Sequence, residues 1–421
     1  MTIAAAADLA NLDLSDLDLW ADGPPHDTFE LLRRDAPCHW SPLGGFPWED
    51  GFWSVVRFDD IALVGRDFET FSSERGGILA VERFMEHPPE GAPEDPVAMQ
   101  RLMFIAQDPP RHDRMKALSQ RAFTPKRALD HSDRMREIIN LVYDNALARG
   151  DGSAFDLVQD VGIHVPAMVI GDMLGVPRAD AEKLVDWTNR TTAFEDPRVV
   201  TDMRDTWTAL MEVFGYVDVL VRDRTETPQD DLTTAFIQAE VDGERLTHDE
   251  VVMTWFLLMV AGNDSTRATF CSGMKSLLED PEQLELVRSG AVSTEQAVEE
   301  FLRCHPAFAY MRRTATRDTE IAGQAIAEGD KVLLWYVSGN RDESVFEDPH
   351  RFDVRREPNP HQAFGGGGRH FCLGAGLARL EMQLWLEETL RRFPDLHLAG
   401  DATRLASTFL NQYRTIPVAT G

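Results

Sequence analysis

The feature of this chain that most restricts its fold and chemistry is the segment Phe364-Gly-Gly-Gly-Gly-Arg-His-Phe-Cys-Leu-Gly374. Four consecutive glycines have no Cβ atoms, so they let the backbone pass close to something flat and bulky. Cys372 follows them just before a predicted helix that begins near Gly374. The free N–H groups and the positive dipole end of that helix would stabilise a thiolate. The segment therefore predicts a cysteine thiolate held in a tight loop.

Three other interpretations of these residues compete with this one. A free cysteine is usually a small core hydrophobe, which is the interpretation that we prefer for Cys38, Cys271 and Cys304. A flexible glycine linker would not be followed at once by His-Phe-Cys-Leu. The dinucleotide fingerprint GxGxxG must follow a strand, whereas Pro358-Asn-Pro360 precedes this loop, and the glycines do not fit its full spacing.

Charge and composition exclude several classes of protein. The formal net charge of −29 argues against nucleic acid as a partner, because most of the surface would repel phosphate. Four widely spaced cysteines without a CxxC pair suit a reducing cytoplasm and disfavour a disulfide framework or a structural zinc site. The N-terminus lacks the basic start and unbroken apolar stretch of a signal peptide, and no run of about 20 apolar residues follows. We expect a cytoplasmic protein without a membrane anchor.

The distribution of periodic segments predicts a mainly α fold with a small β region. Helical periodicity dominates from about residue 110 to 300, for example over Leu129–Arg149 and Thr247–Leu278. Strands are predicted at Gly51–Phe58, Arg313–Ile321 and Lys331–Tyr336. Neither a linker nor an internal repeat divides the chain, so we expect a single domain over residues 1–421.

The cysteine loop resembles the haem-binding signature of the cytochromes P-450. That signature has a phenylalanine, glycines, a basic residue two before the cysteine and a glycine two after it. The matching residues here are Phe364, Gly368, His370, Cys372 and Gly374. One extra residue separates Phe364 from Cys372, a form found in bacterial branches that act on terpenoids, sterols and branched lipids. The resemblance implies the triangular helical prism of that family, with Cys372 as the axial ligand of haem iron.

Two further segments resemble motifs of the same family. Glu300-Phe-Leu-Arg303 is similar to its ExxR motif, whose two side chains share one helix face. Alone that spacing is an ordinary surface pair, and its position about 70 residues before Cys372 makes it specific. Phe352-Asp-Val-Arg355 resembles the segment that completes the Glu–Arg network. The resemblance implies a structural role for Glu300 and Arg303.

An apolar helical segment around Gly262 carries an acid and two hydroxyls. A mid-helix glycine costs about 1 kcal/mol relative to alanine, and burial of an unpaired acid such as Asp264 is also costly. These residues alone leave close helix packing and oxygen binding equally open. Ala261–Thr266 resembles the oxygen-activating segment of the family, in which an acid followed by threonine relays protons. Ser265 stands where threonine is usual and keeps the hydroxyl, so the implied catalytic residues are Asp264, Ser265 and Thr266.

The two haem propionates need cationic partners in a buried site. For any single arginine, a solvated surface charge is the commoner role. The groups that would bind the propionates are identified only because they match the positions of such residues along the chain in the family. The cofactor-binding residues that the resemblance implies are His112, Arg114, Arg313, Phe364, Gly366, His370, Cys372 and Gly374.

The substrate pocket is expected to be apolar. Its residues would come from the Gly77–Met103 loop and from the segments Trp255–Ser265, Ala307–Met311 and Ser407–Asn411. A pocket of this composition implies a terpenoid, a steroid or a branched lipid. The residues that we expect to line it include Leu258, Ala261, Gly262, Phe308, Met311, Phe409 and Leu410.

The resemblance implies a monooxygenase that hydroxylates an unactivated C–H bond with O₂. No flavin or iron–sulfur domain is appended, so electrons would come from a ferredoxin and its reductase. Two alternatives are a peroxide-driven peroxygenase and a haem-binding sensor without turnover, and the acid–hydroxyl pair counts against both. A ferredoxin would need a basic patch on this acidic protein. Basic residues cluster at Arg111, Arg114, Lys116, Arg121, Lys126, Arg127, Arg134 and Arg136, which Arg369 and Arg379 could join.

Overall fold

The computed structural model describes residues 9–43, 50–78, 100–122, 125–149, 152–192 and 203–421. Of the chain, 53% is helical, which confirms the mainly α class expected from the sequence. The helices are α1 His26–Asp35, α2 Phe58–Arg66, α3 Arg111–Ala122, α4 Pro125–Asp130, α5 Ser132–Arg149, α6 Val165–Leu174, α7 Ala181–Thr192, α8 Met203–Glu226, α9 Leu232–Gln238, α10 His248–Glu279, α11 Pro281–Arg288, α12 Thr294–Cys304, α13 Tyr336–Gly339 and α14 Ala375–Arg392.

The β region is small, and its largest sheet has the strand order β1-β2-β10-β7-β3. In that sheet β2 and β10 are parallel, and the other neighbours are antiparallel. The strands are β1 Cys38–Pro42, β2 Gly51–Val55, β3 Phe71–Ser72, β4 Ala154–Asp156, β5 Glu240–Val241, β6 Glu244–Arg245, β7 Tyr310–Ala315, β8 Thr319–Ile321, β9 Gln324–Ile326, β10 Lys331–Trp335, β11 His397–Leu398, β12 Thr403–Arg404, β13 Tyr413–Thr415 and β14 Pro417–Ala419.

The longest helix, α10, crosses the core and begins with a capping box. The Thr247 side chain accepts from the N–H of Glu250, and the Glu250 side chain accepts from the N–H of Thr247. Its middle turns bury Trp255 and Phe270 completely, and it packs against α6, α8 and α12. The observed bounds differ by one residue at each end from the predicted Thr247–Leu278.

Aromatic packing fixes α14, the helix that follows the cysteine loop, against α10 and α5. The rings of Phe270 and Trp385 stack with their centroids 3.8 Å apart. Trp385 Nε1 donates to the hydroxyl of Tyr143 at 3.1 Å, and that hydroxyl lies 2.6 Å from Thr389 Oγ1. Because these groups are buried and satisfied, the start of α14 has a defined position relative to the middle of α10.

The predicted strand Gly51–Phe58 is shorter in the structure, since β2 ends at Val55 and α2 begins at Phe58. The carboxylate of Asp342 accepts from the N–H of Phe58 at 2.8 Å. It therefore satisfies a free N–H at the start of α2 from a distant part of the chain. Local propensity around Phe58 does not contain this information.

One helical stretch, Leu157–Leu174, has the length and mean hydropathy, 1.3, of a segment that could cross a membrane. It combines a π-helical turn, Leu157–Gly162, with α6. Because 67% of it is buried inside the protein, it has the character of a core helix.

Candidate functional site

A cavity with about 1430 Å³ of open space lies in the helical part of the protein. Its walls come from the middle of α10, the first turns of α14, one face of α3, strand β7 and the loop that carries Cys372. That space includes the region where the cavity opens to solvent, and its lining is mostly apolar.

The cysteine loop folds back on itself before α14 begins. The N–H of Cys372 donates to the carbonyl of Phe364 at 3.0 Å. Both residues line the cavity, as do His370 and Gly374. Cys372 lies deep in the protein and yet has exposed surface, because that surface faces the cavity. The loop thus brings four of the predicted cofactor-binding residues together.

The four consecutive glycines, residues 365–368, mainly allow the loop to pack closely against α2. Of the four, Gly365 is the one that lines the cavity. Gly365, Gly367 and Gly368 have φ of +98°, +90° and +86°, where a Cβ is strained. A Cβ on Gly368 would lie 2.6 Å from the carbonyl oxygen of Gly65 in α2. Gly366 also packs against α2, where a Cβ would lie 3.2 Å from a side chain, and it does not line the cavity. The structure therefore places Gly366 differently from the prediction that it binds the cofactor.

The electrostatic surroundings of the Cys372 thiol pull its pKa in two directions. Burial raises the pKa, and the backbone N–H of Gly374 and the charge of Lys116 oppose that rise. The other cysteines are buried in the hydrophobic core, and none of them lines the cavity. Cys372 is the cysteine with N–H and cationic stabilisation on a cavity wall, which suits a thiolate ligand.

One corner of the cavity is formed by two cations, Lys116 and Arg313, and by the imidazole rings of His112 and His370. Arg313 is buried and donates to the carbonyl of Arg312 at 2.7 Å. Burial lowers the pKa of Arg313, and no carboxylate of the described residues pairs with it. The Nε2 atom of His112 is buried without a hydrogen-bond partner in the described part of the chain. Arg313 is therefore a buried cation without a carboxylate partner among the described residues, which is costly, so this corner fits an anionic group.

His370 is neutral in these surroundings. Its ring centroid lies 4.2 Å from that of His112, and its Nε2 lies 3.2 Å from Ser73 Oγ. Burial, reinforced by the charge of Arg313 and by His112 and Lys116, lowers the pKa of His370 to about 2. The ring therefore contributes a hydrogen bond at the cavity wall.

Arg114 lies away from the cavity, in contrast to its predicted cofactor contact. Its guanidinium pairs with Glu244 of β6 and, at 3.0 Å, with Glu250 in the first turn of α10. Lys116 lines the cavity instead, although the family resemblance did not imply a cofactor contact for it. His112 and Lys116 are four residues apart on α3 and share one face, whereas Arg114 is two residues from each. That i,i+4 spacing is the signal that would have selected Lys116.

One face of α10 lines the cavity with small and hydroxyl-bearing residues. Leu258, Ala261, Gly262, Ser265 and Thr266 all contribute to the wall. The Oγ of Ser265 donates to the carbonyl of Ala261 at 2.6 Å, one turn earlier. The oxygen of Ser265 keeps lone pairs that can accept a further hydrogen bond.

Asp264 lies on the side of α10 that packs against α7 and does not line the cavity. Its carboxylate forms a buried ion pair with Arg267, and Arg267 donates to Asn189 Oδ1 of α7 at 3.1 Å. Next to it, Asn263 Nδ2 donates to Thr188 Oγ1 of α7 at 2.9 Å. The second oxygen of Asp264, Oδ2, has no partner among the described residues.

The remaining wall is apolar. Phe308 lines the cavity. Phe409 packs against Phe308, with the two ring centroids 5.0 Å apart, and does not line the cavity. The prediction that Phe409 belongs to the pocket wall is therefore not observed. Much of the predicted loop contribution, residues 79–99, lies outside the described residues. The apolar lining residues are Ile78, Phe104, Ile105, Ile170, Leu257, Leu258, Leu302, Ala307, Phe308 and Met311.

The predicted Glu300–Arg303 pair is completely buried on α12. Two hydrogen bonds of 2.8 and 2.7 Å join Arg303 to Glu300, a bidentate arrangement. The N–H of Asp353 donates to Glu300 at 2.9 Å. Arg356, with its Nε 3.4 Å from Glu300, is the additional cation of the network, while Arg355 pairs with Asp353 at the surface. The segment after residue 352 thus completes the network through Arg356 instead of Arg355.

The residues present fit a haem with its two propionates. Cys372 would supply a sulfur ligand on the wall, and Lys116 and Arg313 would supply cavity-facing cations for the carboxylates. The predominantly apolar walls would cover the faces of a flat macrocycle. The fit rests on the chemistry of these side chains and on the apolar lining of the cavity, both taken from the described residues.

Comparison with known proteins agrees with this fit. The sequence model of the family "Cytochrome P450" matches residues 88–289 and 293–404. The chain is 38% identical over 418 residues to a methyl-branched lipid omega-hydroxylase of Mycobacterium tuberculosis, covering 97% of this chain and 95% of that protein. It is 36% identical over 410 residues to a steroid C26-monooxygenase of Rhodococcus jostii, covering 96% and 84%.

A solved structure shows the same fold. The cytochrome P450 of Mycobacterium marinum in complex with pseudoionone superimposes with a TM-score of 0.87 at 33% identity, covering 99% of this chain and all of that one. The fold expected from the cysteine-loop resemblance is thereby confirmed.

Proposed function

The chain belongs to the cytochrome P450 family, a haem-dependent monooxygenase family, and we propose that it hydroxylates an apolar terpenoid, steroid or branched lipid. The observation that carries this proposal is the apolar wall that faces the hydroxyl-bearing side of α10. Relatives named for methyl-branched lipids and for steroids support the same substrate class.

The bound haem would supply oxygen activation, and the chain's own residues hold and surround it. Cys372 provides the thiolate, and its pairing with the Phe364 carbonyl keeps the loop in place. Lys116 and Arg313 are positioned to bind propionates. The apolar side chains of Phe308 and its neighbours offer no hydrogen bonds to water near the reacting carbon.

We assign the proton route near oxygen to Ser265 and Thr266 on the wall, with Asp264 behind them. The lone pairs of Ser265 are free to accept, and the unpartnered Oδ2 of Asp264 can bind a water molecule. Arg267 holds the other oxygen of Asp264, so the carboxyl group is fixed on the α7 side.

A substrate screen tests the proposed class. Displacement of water from haem iron by a substrate changes the iron's spin state, so binding is read optically. We expect branched lipids, steroids or terpenoids to give this shift. Leu258→Ala should weaken binding about tenfold, because a lost apolar contact costs about 1–3 kcal/mol. Leu63→Ala, at an exposed leucine of α2, is the matched control and should bind normally. A shift with polar or charged compounds alone would contradict the proposal.

We propose a ferredoxin, kept reduced by its reductase, as the electron donor of a cytoplasmic enzyme. Several cations of the expected basic patch are engaged elsewhere: Arg134 pairs with Asp172, and Arg136 with Glu387 and Glu388. Arg121 and Lys126 are exposed and have no ion-pair partner in the described part of the chain. The side chain of Arg127 lies outside the described residues.

Charge reversal at Arg121 and Lys126 should slow electron transfer from ferredoxin roughly tenfold at low ionic strength. Steering by surface charge changes association rates by this order and weakens as salt screens it. Stopped-flow reduction at two salt concentrations measures the effect, with substrate binding as the check on folding. Arg222→Glu, at an exposed cation of α8, is the control. A rate that is indifferent to salt and to both changes would place the docking surface elsewhere.

A further inference from the structure

The outer face of α8 exposes apolar side chains that the fold does not use. With its inner side α8 packs against α7, α9 and α10. On the outer side Met211 is 60% exposed and Val219 is 66% exposed. These two residues lie eight positions apart on the same side of the helix, so they form one apolar patch. Such a patch on a soluble protein is typical of an interaction site.

Gly215 lies at the centre of this patch, in the middle of α8, and is exposed. Glycine in the interior of a helix is less stable than alanine, so its presence there requires a reason. The packing of the described residues does not supply one, because a Cβ at Gly215 would have no atom of a neighbouring element within 4 Å. A missing side chain on an exposed helix does allow the backbone of another molecule to approach closely.

The exposed residues of α8 form a stripe that is complementary to itself when the helix direction is reversed. They are spaced three or four apart, which keeps them on one side of an α-helix over about 33 Å. Residues at equal distances on either side of Gly215 match in chemistry: an apolar residue with an apolar one, a hydroxyl with a hydrogen-bond donor, and a cation with an anion. Two antiparallel copies would bring these residues together across a two-fold axis at Gly215. The matched residues are Met211 and Val219, Thr208 and Arg222, and Arg204 and Glu226.

Two acids beside the stripe, Glu212 and Asp218, would face each other in this arrangement. Each of them already has a partner within its own chain. Glu212 pairs with Arg190 of α7 at 3.0 Å, and Asp218 pairs with Arg222 at 3.0 Å and contacts His248 Nε2 at 2.7 Å. The net charge of −29 makes two copies repel each other in general. On this face the partners of the two acids reduce that repulsion.

We infer that the outer face of α8 is an interaction surface for a second copy of this chain, which docks antiparallel about a two-fold axis through Gly215. A contact about 33 Å long and about 10 Å wide belongs to the class of small interfaces. The dimer is therefore weak, with a dissociation constant of roughly 10–100 µM. No residue of α8 lines the cavity in the part of the chain that the structure describes, so this inference is independent of the proposed function.

Analytical ultracentrifugation of the haem-loaded protein tests for the dimer. Over roughly 1–500 µM at physiological salt, which screens the general repulsion, the mass should rise from monomer to dimer. Val219→Glu should abolish the dimer, because it places a charge in the apolar patch. Leu129→Glu makes the same kind of change at a leucine of α4 that is 61% exposed, and this control should associate like the wild type. A wild type that stays monomeric, or a dimer that Val219→Glu leaves intact, would overturn the inference.

A charge exchange tests the antiparallel register. Arg204 and Glu226 lie about 33 Å apart along one helix, so they cannot contact each other within one chain. Arg204→Glu alone and Glu226→Arg alone should each weaken association roughly tenfold, since each turns two attractions of the symmetric dimer into two repulsions. The double variant should associate like the wild type, because position 204 of one copy meets position 226 of the other. Haem content and thermal unfolding check that each variant is folded. A double variant as weak as the single ones would reject this surface.

Discussion

Replacing Cys372 with serine is expected to abolish completely the optical band that thiolate-ligated haem shows in its reduced carbonyl complex. A serine hydroxyl stays protonated at neutral pH and is a much weaker electron donor than a thiolate. The backbone N–H of Gly374 and the charge of Lys116, which favour the charged sulfur, have no thiolate to stabilise in the variant. Product formation should fall to background with the band.

The other cysteines are matched controls for that result. Cys38, Cys271 and Cys304 are buried, and burial raises the pKa of each thiol, to about 12 for Cys38 and about 11 for Cys304. Serine at each of these positions should leave the optical band intact. Persistence of the band in Cys372→Ser, or its loss in one of the controls, would remove Cys372 from its place as the ligand.

Arg303→Ala is expected to destabilise the protein by about 3–5 kcal/mol, because it leaves a buried carboxylate without its bidentate partner. Neither Arg303 nor Glu300 is exposed at all. Arg303 also donates to the carbonyls of Asn340 at 2.9 Å, Pro349 at 2.7 Å and Arg351 at 2.9 Å. The substitution therefore also leaves backbone carbonyls of two further segments without a hydrogen-bond donor. Denaturant unfolding measures the loss, and haem content should fall with it.

Arg355→Ala is the comparison for that variant. Arg355 belongs to the segment expected to complete the Glu300 network, but it is half exposed and pairs with Asp353 alone. We expect unfolding of this variant to match the wild type. Equal destabilisation by both changes would contradict the network as described, in which Arg356 is the second cation near Glu300.

The helix predicted over Thr247–Leu278 depended on local sequence, and it agrees with the structure to within one residue at each end. The cysteine loop is a short continuous segment in which backbone and side chains form one unit. Thr247 and Glu250 are three residues apart and cap α10 without help from elsewhere. Ala261 and Ser265 are one turn apart in α10 and both line the cavity. Helical periodicity alone places them on the same face, whatever the rest of the chain does.

Predictions that depended on distant partners were less accurate. Arg114 is drawn from the cavity by Glu244 and Glu250, which lie 130 and 136 residues further along the chain. Asp264 forms an ion pair with Arg267 on the α7 side of α10. The two residues are three apart in the helix, a spacing that allows this pair but does not make it certain. Glu381 of α14, a buried acid that also lines the cavity, carries no signal in the sequence, because an acid in an amphipathic helix is normally solvated. Only the packing of α14 shows that it is buried.

The contact between the glycine run and α2 bears on how this enzyme can be redesigned. Because Gly368 abuts the carbonyl of Gly65, a side chain added to the loop would displace α2 before it reshaped the cavity. Directed evolution toward new substrates therefore has its freedom on the wall formed by Leu258, Phe308 and Met311. The loop and the backbone of α2 therefore constrain each other, and a side chain at Gly368 could be accommodated only if α2 moved.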